Sequence, residues 1–287
     1  MERIKNNEEI APPLGRYAAR AGGAVLVTGG AGEIGSAICR KFAENGFAVI
    51  ATYNSNSEKA EKLLEELNKI SEQIAPPLGR YAARAGGAGN SIFHAPTTDA
   101  QKVADLKDFV SEKYGKLNVL VNNAGITTPV PHDDLEGLTD EWIDKIMETN
   151  FRGSFAMVRA TKDLLEKGSD ERNESSLIVN ISSIAGISGI GSNVAYCASK
   201  AAIDSMTRSL ARVLAPKIRM VSVSPGFVEG EYTKNFDPTF LQKQMDNTPL
   251  GRFATGVDVA NAVYALATSL TFSTGNIITV DGGRLLK

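Results

Sequence analysis

Two residue types that often build metal centres or covalent cross-links are scarce in this chain of 287 residues. Its two cysteines, Cys39 and Cys197, have neither pairing nor metal-ligand spacing, which speaks against a disulfide framework and fits a reducing compartment. Its two histidines, His94 and His132, lie far apart in sequence and also lack ligand spacing. We therefore expect no metal site.

Long apolar runs and an excess of one charge are missing as well. No apolar run approaches the ~20 residues needed to span a bilayer, and the polar start at residues 1–9 is unlike a signal peptide. The net charge of -2 and the pI of about 5.9 provide no basic field for nucleic acid or an anionic membrane. We expect a cytoplasmic protein with neither nucleic-acid nor membrane partners.

One fifteen-residue sequence, IAPPLGRYAARAGGA, occurs identically at residues 10–24 and 74–88. Repeats that build a solenoid number three or more and drift in sequence, so this identity indicates a recent insertion or a sequence artefact. Both copies lie outside the periodic segments, and we assign them no catalytic role. The predicted layout is an N-terminal extension at residues 1–23 and one domain at residues 24–287.

Short apolar runs alternate with segments of helical periodicity along that domain. The predicted strands are residues 24–27, 47–52, 92–94, 117–121, 177–181, 220–223 and 277–280. The predicted helices are residues 36–45, 57–70, 100–114, 139–165, 195–214 and 257–269. This alternation predicts an α/β fold, a parallel sheet of about seven strands with helices on both faces. Residues 227–247 are polar and irregular with scattered aromatic residues, which predicts a mobile lid over a substrate.

A glycine-rich sequence, Thr28-Gly29-Gly30-Ala31-Gly32-Glu33-Ile34-Gly35, joins the first strand to the first helix. This arrangement brings backbone N–H groups and the positive end of a helix dipole to one point, where a pyrophosphate binds. The fold is therefore expected to be of the single-domain, doubly wound Rossmann type. Its predicted cofactor contacts here are Thr28, Gly29, Gly32, Ile34 and Gly35.

The end of the second strand bears on the choice of cofactor. An acidic residue there binds the ribose hydroxyls of NAD, but this chain has Tyr53, Asn54 and Ser55 and no carboxylate. These three residues are predicted cofactor contacts that favour NADP(H), with NAD(H) possible. The alternative interpretation is an ordinary polar turn.

Tyr196 and Lys200 are four residues apart, so on a helix their side chains share one face. A nearby cation favours phenolate and lowers the pKa of a phenol toward the range of a general acid or base. Ser183, at the end of the fifth predicted strand, can hydrogen-bond the oxygen on which charge changes. The three groups suit proton transfer to an alcohol or carbonyl oxygen, although this spacing also occurs by chance on exposed helix faces.

Two further polar sites accompany them. Asn150 lies within a predicted helix, where asparagine is a poor helix former, so either a functional role or plain burial explains it. Asn122-Asn123-Ala124-Gly125 follows the fourth strand. Its asparagines can satisfy neighbouring backbone groups, and its glycine permits close approach of a bound ring.

From Ala24 onward, without residues 74–88, the chain resembles the short-chain dehydrogenase/reductase family. The motifs that carry the resemblance are the glycine loop from Thr28, Asn122-Asn123-Ala124-Gly125, Asn150, Ser183, Tyr196-x-x-x-Lys200, Pro225-Gly226 and Val280-Asp281-Gly282-Gly283. Within the family the sequence is most similar to the 3-oxoacyl-(acyl-carrier-protein) reductases. Two positions depart from the family pattern: Glu33 replaces a glycine, and Pro96 stands where an aspartate contacts adenine.

The resemblance implies a catalytic tetrad of Asn150, Ser183, Tyr196 and Lys200. Tyr196 would exchange the proton, Ser183 would orient the carbonyl, Lys200 would lower the phenol pKa and hold the nicotinamide ribose, and Asn150 would place a water. Hydride would move between nicotinamide C4 and the substrate carbon. The further cofactor contacts implied are Thr97, Asn123, Ala124, Gly125, Pro225, Gly226 and Val228, besides Tyr196 and Lys200.

The resemblance also implies a 3-oxoacyl thioester substrate, with acyl carrier protein as a possible partner, and a homotetramer. One alternative keeps the reaction type but takes a sugar, a polyol or another secondary alcohol as substrate. A second alternative is a non-catalytic scaffold of the same fold.

Overall fold

The computed structural model describes residues 23–74, 88–169, 174–231, 233 and 236–286. Its centre is a seven-stranded sheet with the strand order β3-β2-β1-β4-β5-β6-β7. The strands are β1 (Ala24–Val27), β2 (Ala48–Tyr53), β3 (Ser91–His94), β4 (Val119–Asn122), β5 (Ser176–Ile181), β6 (Ile218–Pro225) and β7 (Ile277–Val280). Every neighbouring pair is parallel, which confirms the predicted fold class.

Helices cover both faces of this sheet. They are α1 (Glu33–Ala43), α2 (Ser57–Ile74), α3 (Ala100–Tyr114), α4 (Asp140–Met147), α5 (Gly153–Gly168), α6 (Ala185–Ser188), α7 (Val194–Leu214), α8 (Pro238–Asp246) and α9 (Gly256–Thr268). Side chains of a strand alternate between faces, so Val25 and Val27 pack with α1, α2 and α9 while Leu26 packs with α3, α5 and α7. Two hydrophobic layers therefore enclose the sheet.

Capping residues set the bounds of several helices. Helix α3 has the predicted bounds because Asp99 accepts from the Lys102 N–H at its start and Gly115 adopts a φ of 71° at its end. Helix α1 begins at Glu33, earlier than the predicted residue 36. A carboxylate in the first turn favours the helix dipole, and the glycine loop is correspondingly shorter than expected.

The single helix predicted for residues 139–165 is wrong in its middle. Helices α4 and α5 are separated by a π-helical turn, Glu148–Arg152, which widens the helix by one residue locally. This turn places Asn150 in the interior, where its exposure is 0%. A poor helix former inside an apolar pattern was the signal for this interruption.

The predicted lid region also contains more order than expected. Helix α8 lies within it, started by Asp237, which accepts from the N–H groups of Thr239 and Phe240. Three aromatic rings of the region, Phe227, Phe236 and Phe240, pack against one another. The expectation of an irregular segment is therefore wrong for α8, whereas the mobility of the lid stays a prediction.

The duplicated segments, residues 10–24 and 74–88, fall almost wholly outside the described residues, and their predicted role in loops is not tested there. Helix α2 ends at Ile74, and the chain resumes at Ala88 ahead of β3. In the described part of the chain, none of the helices combines the length and the apolar character that crossing a bilayer requires.

Candidate active site

A crevice forms where the chain changes direction across the sheet. Strand β1 pairs with β2 on one side and with β4 on the other, so the loops after β1 and β4 leave the same edge in opposite directions. Ligands of open α/β sheets bind at this carboxyl edge. All the predicted site segments that follow strands emerge there because every strand is parallel.

Thr28 and Asn123 hold the two loops of the crevice together. The Thr28 hydroxyl oxygen accepts from the N–H groups of Asn123 (2.9 Å) and Ala124 (3.0 Å). In return, the Asn123 side-chain amide donates to the carbonyls of Thr28 (3.0 Å) and Gly29 (3.1 Å). Both residues were predicted to contact the cofactor, and the structure gives them the additional task of building its crevice.

The glycine loop leaves backbone space that a side chain would fill. Gly29 has a φ of +61°, and a Cβ on Gly35 would lie 2.3 Å from the Gly29 carbonyl oxygen. Gly32 is the N-cap residue of α1 and has no side chain that could accept from the first-turn N–H groups. The first-turn N–H groups, including that of Ile34, are thus left for an anion, and the loop fits a pyrophosphate.

The segment after β2 has a basic neighbour that sequence reasoning missed. Lys59 lies in the first turn of α2, where its N–H donates to Asn56 Oδ1 at 2.8 Å, and its ammonium pairs with Glu231 at 2.5 Å. The hydrogen bond and charge of Glu231, together with the charge of Glu33, raise the pKa of Lys59. The exposed Glu33 is therefore balanced by a cation at this side of the crevice.

The other residues predicted for this side are fixed by backbone contacts. His94 Nε2 donates to the Asn54 carbonyl at 2.8 Å, and its ring lies 5.4 Å from that of Tyr53. Ser55 is exposed in the same turn. Thr97 is buried against α5, where a Cβ on Gly153 would lie 2.5 Å from its hydroxyl oxygen. Contact of Thr97 with the cofactor stays a prediction.

Helix α7 begins at a cap that positions Tyr196. Asn193, at 1% exposure, accepts from the Tyr196 N–H at 2.7 Å and donates to the Thr128 carbonyl at 2.7 Å. The asparagine three residues before Tyr196 was a readable capping signal that the sequence analysis did not use. The cap anchors the catalytic helix to the loop after β4.

Ser183 and Tyr196 interact directly, whereas the predicted contact of Ser183 with the substrate oxygen stays a prediction. Their side chains are hydrogen-bonded to each other, and the Ser183 oxygen also accepts from the Ala185 N–H at 3.1 Å. Burial raises the pKa of Tyr196, and the hydrogen bond with Ser183 offsets this increase in part. The prediction that Lys200 lowers this pKa is wrong for the described residues, because desolvation of the phenol dominates.

Lys200 is a buried cation below the Tyr196 ring. Its ammonium lies 5.6 Å from the ring centre and donates to the Ile181 carbonyl at 2.8 Å. Burial lowers the pKa of Lys200 to about 8. This value keeps most of the side chain protonated at neutral pH and makes its charge sensitive to nearby groups.

Asn150 closes the site from the side of the π-helical turn. Its Oδ1 accepts from the Ile126 N–H at 2.8 Å, while its Nδ2 donates to the Ile126 carbonyl and to Ser199 Oγ, both at 3.0 Å. A Cβ on Gly125 would lie 3.3 Å from Asn150 Oδ1 and 3.6 Å from Lys200 Nζ. Asn150 and Lys200, two of the four predicted catalytic residues, thus both approach the loop after β4.

The segment after β6 completes this edge. The Pro225 carbonyl accepts from the Ile184 N–H at 3.1 Å, and the Gly226 N–H donates to the Val280 carbonyl at 3.0 Å. Val228 is buried and forms a bridge with Ala254. These contacts tie the predicted cofactor segment to the turn that carries Ser183 and to β7.

Comparisons with known proteins agree with this geometry. A family model described as enoyl-(acyl carrier protein) reductase matches residues 29–284. The 3-oxoacyl-(acyl-carrier-protein) reductase FabG of Staphylococcus aureus (strain Mu50) is 34% identical over 264 residues, 90% of this chain and 96% of the relative.

Two solved structures share the fold over nearly the whole chain. The Pseudomonas aeruginosa RhlG/NADP active-site complex has a TM-score of 0.80 at 27% identity and covers 94% of this chain and 98% of its own. A Brucella melitensis structure described as short-chain dehydrogenase/reductase, glucose/ribitol dehydrogenase, has a TM-score of 0.77 at 27% identity and covers 91% and 96%.

Proposed function

The chain belongs to the short-chain dehydrogenase/reductase family, and from this membership we propose that it is an NADP(H)-dependent reductase of 3-oxoacyl thioesters. The reaction would interconvert a ketone and a secondary alcohol. The observation that carries the proposal is the hydrogen-bonded pair of Ser183 and Tyr196 beside the buried Lys200, at the sheet edge that bears the glycine loop.

The protonation states at this site suit reduction of a carbonyl. Because burial raises the pKa of Tyr196, its hydroxyl carries a proton at neutral pH and can give it to the substrate oxygen. Ser183 holds the same oxygen by a second hydrogen bond, and Lys200 keeps a positive charge below the ring. A bound nicotinamide supplies the hydride. Asn150 fixes the loop after β4 against which the ring would lie.

Two observations support NADP(H) over NAD(H). The segment at 53–56 has no carboxylate to repel a 2'-phosphate, and Lys59 follows it in the first turn of α2. A neighbour of the same fold is described as an NADP complex. The ion pair between Lys59 and Glu231 is exposed and therefore weak, so the Lys59 ammonium can exchange Glu231 for the 2'-phosphate of the cofactor.

The cofactor preference is tested with Lys59→Ala. Loss of this ammonium should raise the KM for NADPH about tenfold and should leave the KM for NADH unchanged. Lys62→Ala is the matched control, because Lys62 is an exposed lysine of the same helix that pairs with Glu58 instead. Equal effects of both substitutions on both cofactors would contradict the assignment.

The assignment of a 3-oxoacyl substrate is supported by the similar proteins and by the neighbouring hydroxyls of Ser183 and Tyr196. The curated relative is a 3-oxoacyl reductase, whereas the matching family model is described by reduction of an enoyl group. Two hydroxyls directed at one point suit a carbonyl oxygen better than a carbon–carbon double bond. A sugar or polyol remains the second candidate, because the Brucella melitensis structure carries that description.

Turnover assays separate these candidates. The purified protein should oxidise NADPH with an acetoacetyl thioester, and less readily with a crotonyl thioester or with a panel of sugar-derived ketones. Tyr196→Phe should lower kcat at least ~100-fold, the contribution of general acid catalysis, while cofactor binding persists. Undiminished turnover by the phenylalanine variant would refute the mechanism. Absence of cofactor binding in a fluorescence titration would instead support a scaffold.

Assembly and partner follow from family membership as further proposals. We expect a cytoplasmic homotetramer that reduces the 3-oxoacyl group while this group stays attached to acyl carrier protein. Light scattering tests the tetramer, and comparison of kcat/KM for acetoacetyl-CoA and for the same group on carrier protein tests the partner.

A further inference from the structure

A buried carboxyl group lies one helical turn after Lys200 and has no role in the proposed reaction. Asp204 is on the same face of α7 as Lys200, because residues four apart on a helix are neighbours. Its exposure is 3%, and among the described residues neither carboxyl oxygen has a hydrogen-bond partner. Such a group is costly to bury unless a cation compensates its charge.

The hydroxyls that face Asp204 also have other hydrogen-bond partners. Ser182 Oγ, on the segment after β5, donates to the Lys200 carbonyl at 3.2 Å. Ser222 Oγ of β6 lies 2.8 Å from Thr207 Oγ1, whose own proton goes to the Ile203 carbonyl at 2.9 Å. Ser222 is therefore the donor in this contact. These hydroxyls can therefore offset a charge on Asp204 only in part, and nearby cations add to the compensation.

The charged groups that act on Asp204 are Lys200 and Arg208, both on its own helix. Strands β5 and β6 face it with hydroxyls only within the described residues. Burial raises the pKa of Asp204, and the nearby hydroxyls and the two cations offset this in part. In the opposite direction, Asp204 is the charge that counters the effect of burial on Lys200.

We propose that Asp204 is a positioning residue that keeps Lys200 protonated, and that it acts on the reaction only through Lys200. This inference rests on the proposed function, in which the Lys200 charge lies beside the Tyr196 ring and the bound cofactor. Because the pKa of Lys200 is only about 8, a fall of one unit would reduce its protonated fraction at pH 7.5 from roughly three quarters to one quarter.

A direct titration of Lys200 tests the inference without substrate. Protein labelled with 13C at the lysine ε-carbon is followed by NMR across pH, and the Lys200 signal is assigned by its loss in Lys200→Met. The midpoint should fall by about one pH unit in Asp204→Asn, the effect of removing one opposite charge that is buried one helical turn away. Asp108→Asn makes the same chemical change at an exposed position of α3 and should leave the midpoint unchanged. An unchanged midpoint in Asp204→Asn would overturn the inference.

The pH dependence of kcat/KM should shift in the same direction as the Lys200 midpoint. In the reductive reaction, the alkaline limb of kcat/KM should move to lower pH in Asp204→Asn and return toward the wild-type position in Asp204→Glu. If Asp204→Asn does not fold, the same NMR titration of the wild type tests the inference. The Lys200 signal should then shift twice, once where Lys200 itself titrates and once where the 13C-labelled Asp204 carboxyl titrates. A Lys200 signal that shifts only at its own pKa would overturn the inference. A wrong substrate would abolish turnover but leave these NMR results intact, so the two failures are distinguishable.

Discussion

At the scale of single residues, the site joins two groups, Lys200 and Tyr196, whose charged forms are expensive in the interior. Lys200 is buried at 5% exposure, and its pKa falls to about 8 because water no longer solvates the ammonium. Tyr196 responds in the opposite direction, because burial penalises phenolate. Both shifts are consequences of the position of α7 against the sheet.

The buried ammonium should therefore cost stability. A lysine whose pKa is lowered on folding destabilises the folded state most below the folded pKa, and the penalty disappears as pH rises toward 10.5. Lys200→Met should abolish turnover yet raise the free energy of unfolding at pH 7 by roughly 1–3 kcal/mol, after loss of its hydrogen bond to Ile181. Urea unfolding at several pH values measures this gain.

The gain should shrink between pH 8 and pH 10.5, where the wild-type lysine loses its charge in the folded state. A Lys200→Met variant that is less stable than wild type at pH 7 would show that Lys200 contributes to folding rather than opposing it. Lys62→Met, at an exposed lysine, controls for the change of side chain.

At the scale of elements, the catalytic helix depends on a glycine that lets two segments touch. A Cβ on Gly186 would lie 2.7 Å from both the Lys200 carbonyl carbon and the Ala201 nitrogen. Backbone atoms cannot yield to such a contact, so Gly186→Ala must push α6 away from α7. The hydroxyl of Ser183, which leads into α6, would move with it.

We expect Gly186→Ala to lower the free energy of unfolding by about 1–3 kcal/mol and to reduce kcat at least tenfold, the cost of a misplaced catalytic group. Gly189→Ala is the control, because Gly189 has a φ of +70° but open space around it. That substitution should cost only about 1 kcal/mol of backbone strain and leave kcat unchanged. Equal losses of kcat in both variants would contradict the packing argument.

Element types were predictable, whereas the details that shape the site were not. The period of apolar residues gave β1, β7 and α3 their correct bounds, because burial enforces alternation in strands and one apolar face in helices. Helix α6 escaped prediction because it arises from packing between segments distant in sequence, and the π-helical turn escaped because its one signal, Asn150, does not change the period of the apolar residues. The sign of the Tyr196 pKa shift was not predicted either, because the spacing of Tyr196 and Lys200 on a helix does not reveal how deeply the phenol is buried.

At the scale of the whole molecule, the parallel sheet places the candidate active site at one edge and the segments that lead into the strands at the opposite edge. Loops that leave strands lie at the carboxyl edge and build the site, whereas segments that enter strands lie at the opposite edge. Gly23 precedes β1 and Ala88 precedes β3, so both duplicated segments join the described chain at the edge away from Tyr196. Strand β3 is also the outermost strand on its side of the sheet.

Replacement of residues 75–87 by a glycine/serine linker of equal length should therefore leave kcat/KM and the melting temperature unchanged. Equal length keeps the entropy of closing the connection between Ile74 and Ala88 nearly the same. Thermal unfolding and NADPH oxidation of the two proteins measure the outcome, and a replacement of residues 127–134 of the carboxyl edge, which should abolish turnover, is the matched control. A tenfold loss of kcat/KM in the 75–87 variant would mean that this copy reaches the site or an assembly contact, because the sheet geometry leaves no other route for its influence.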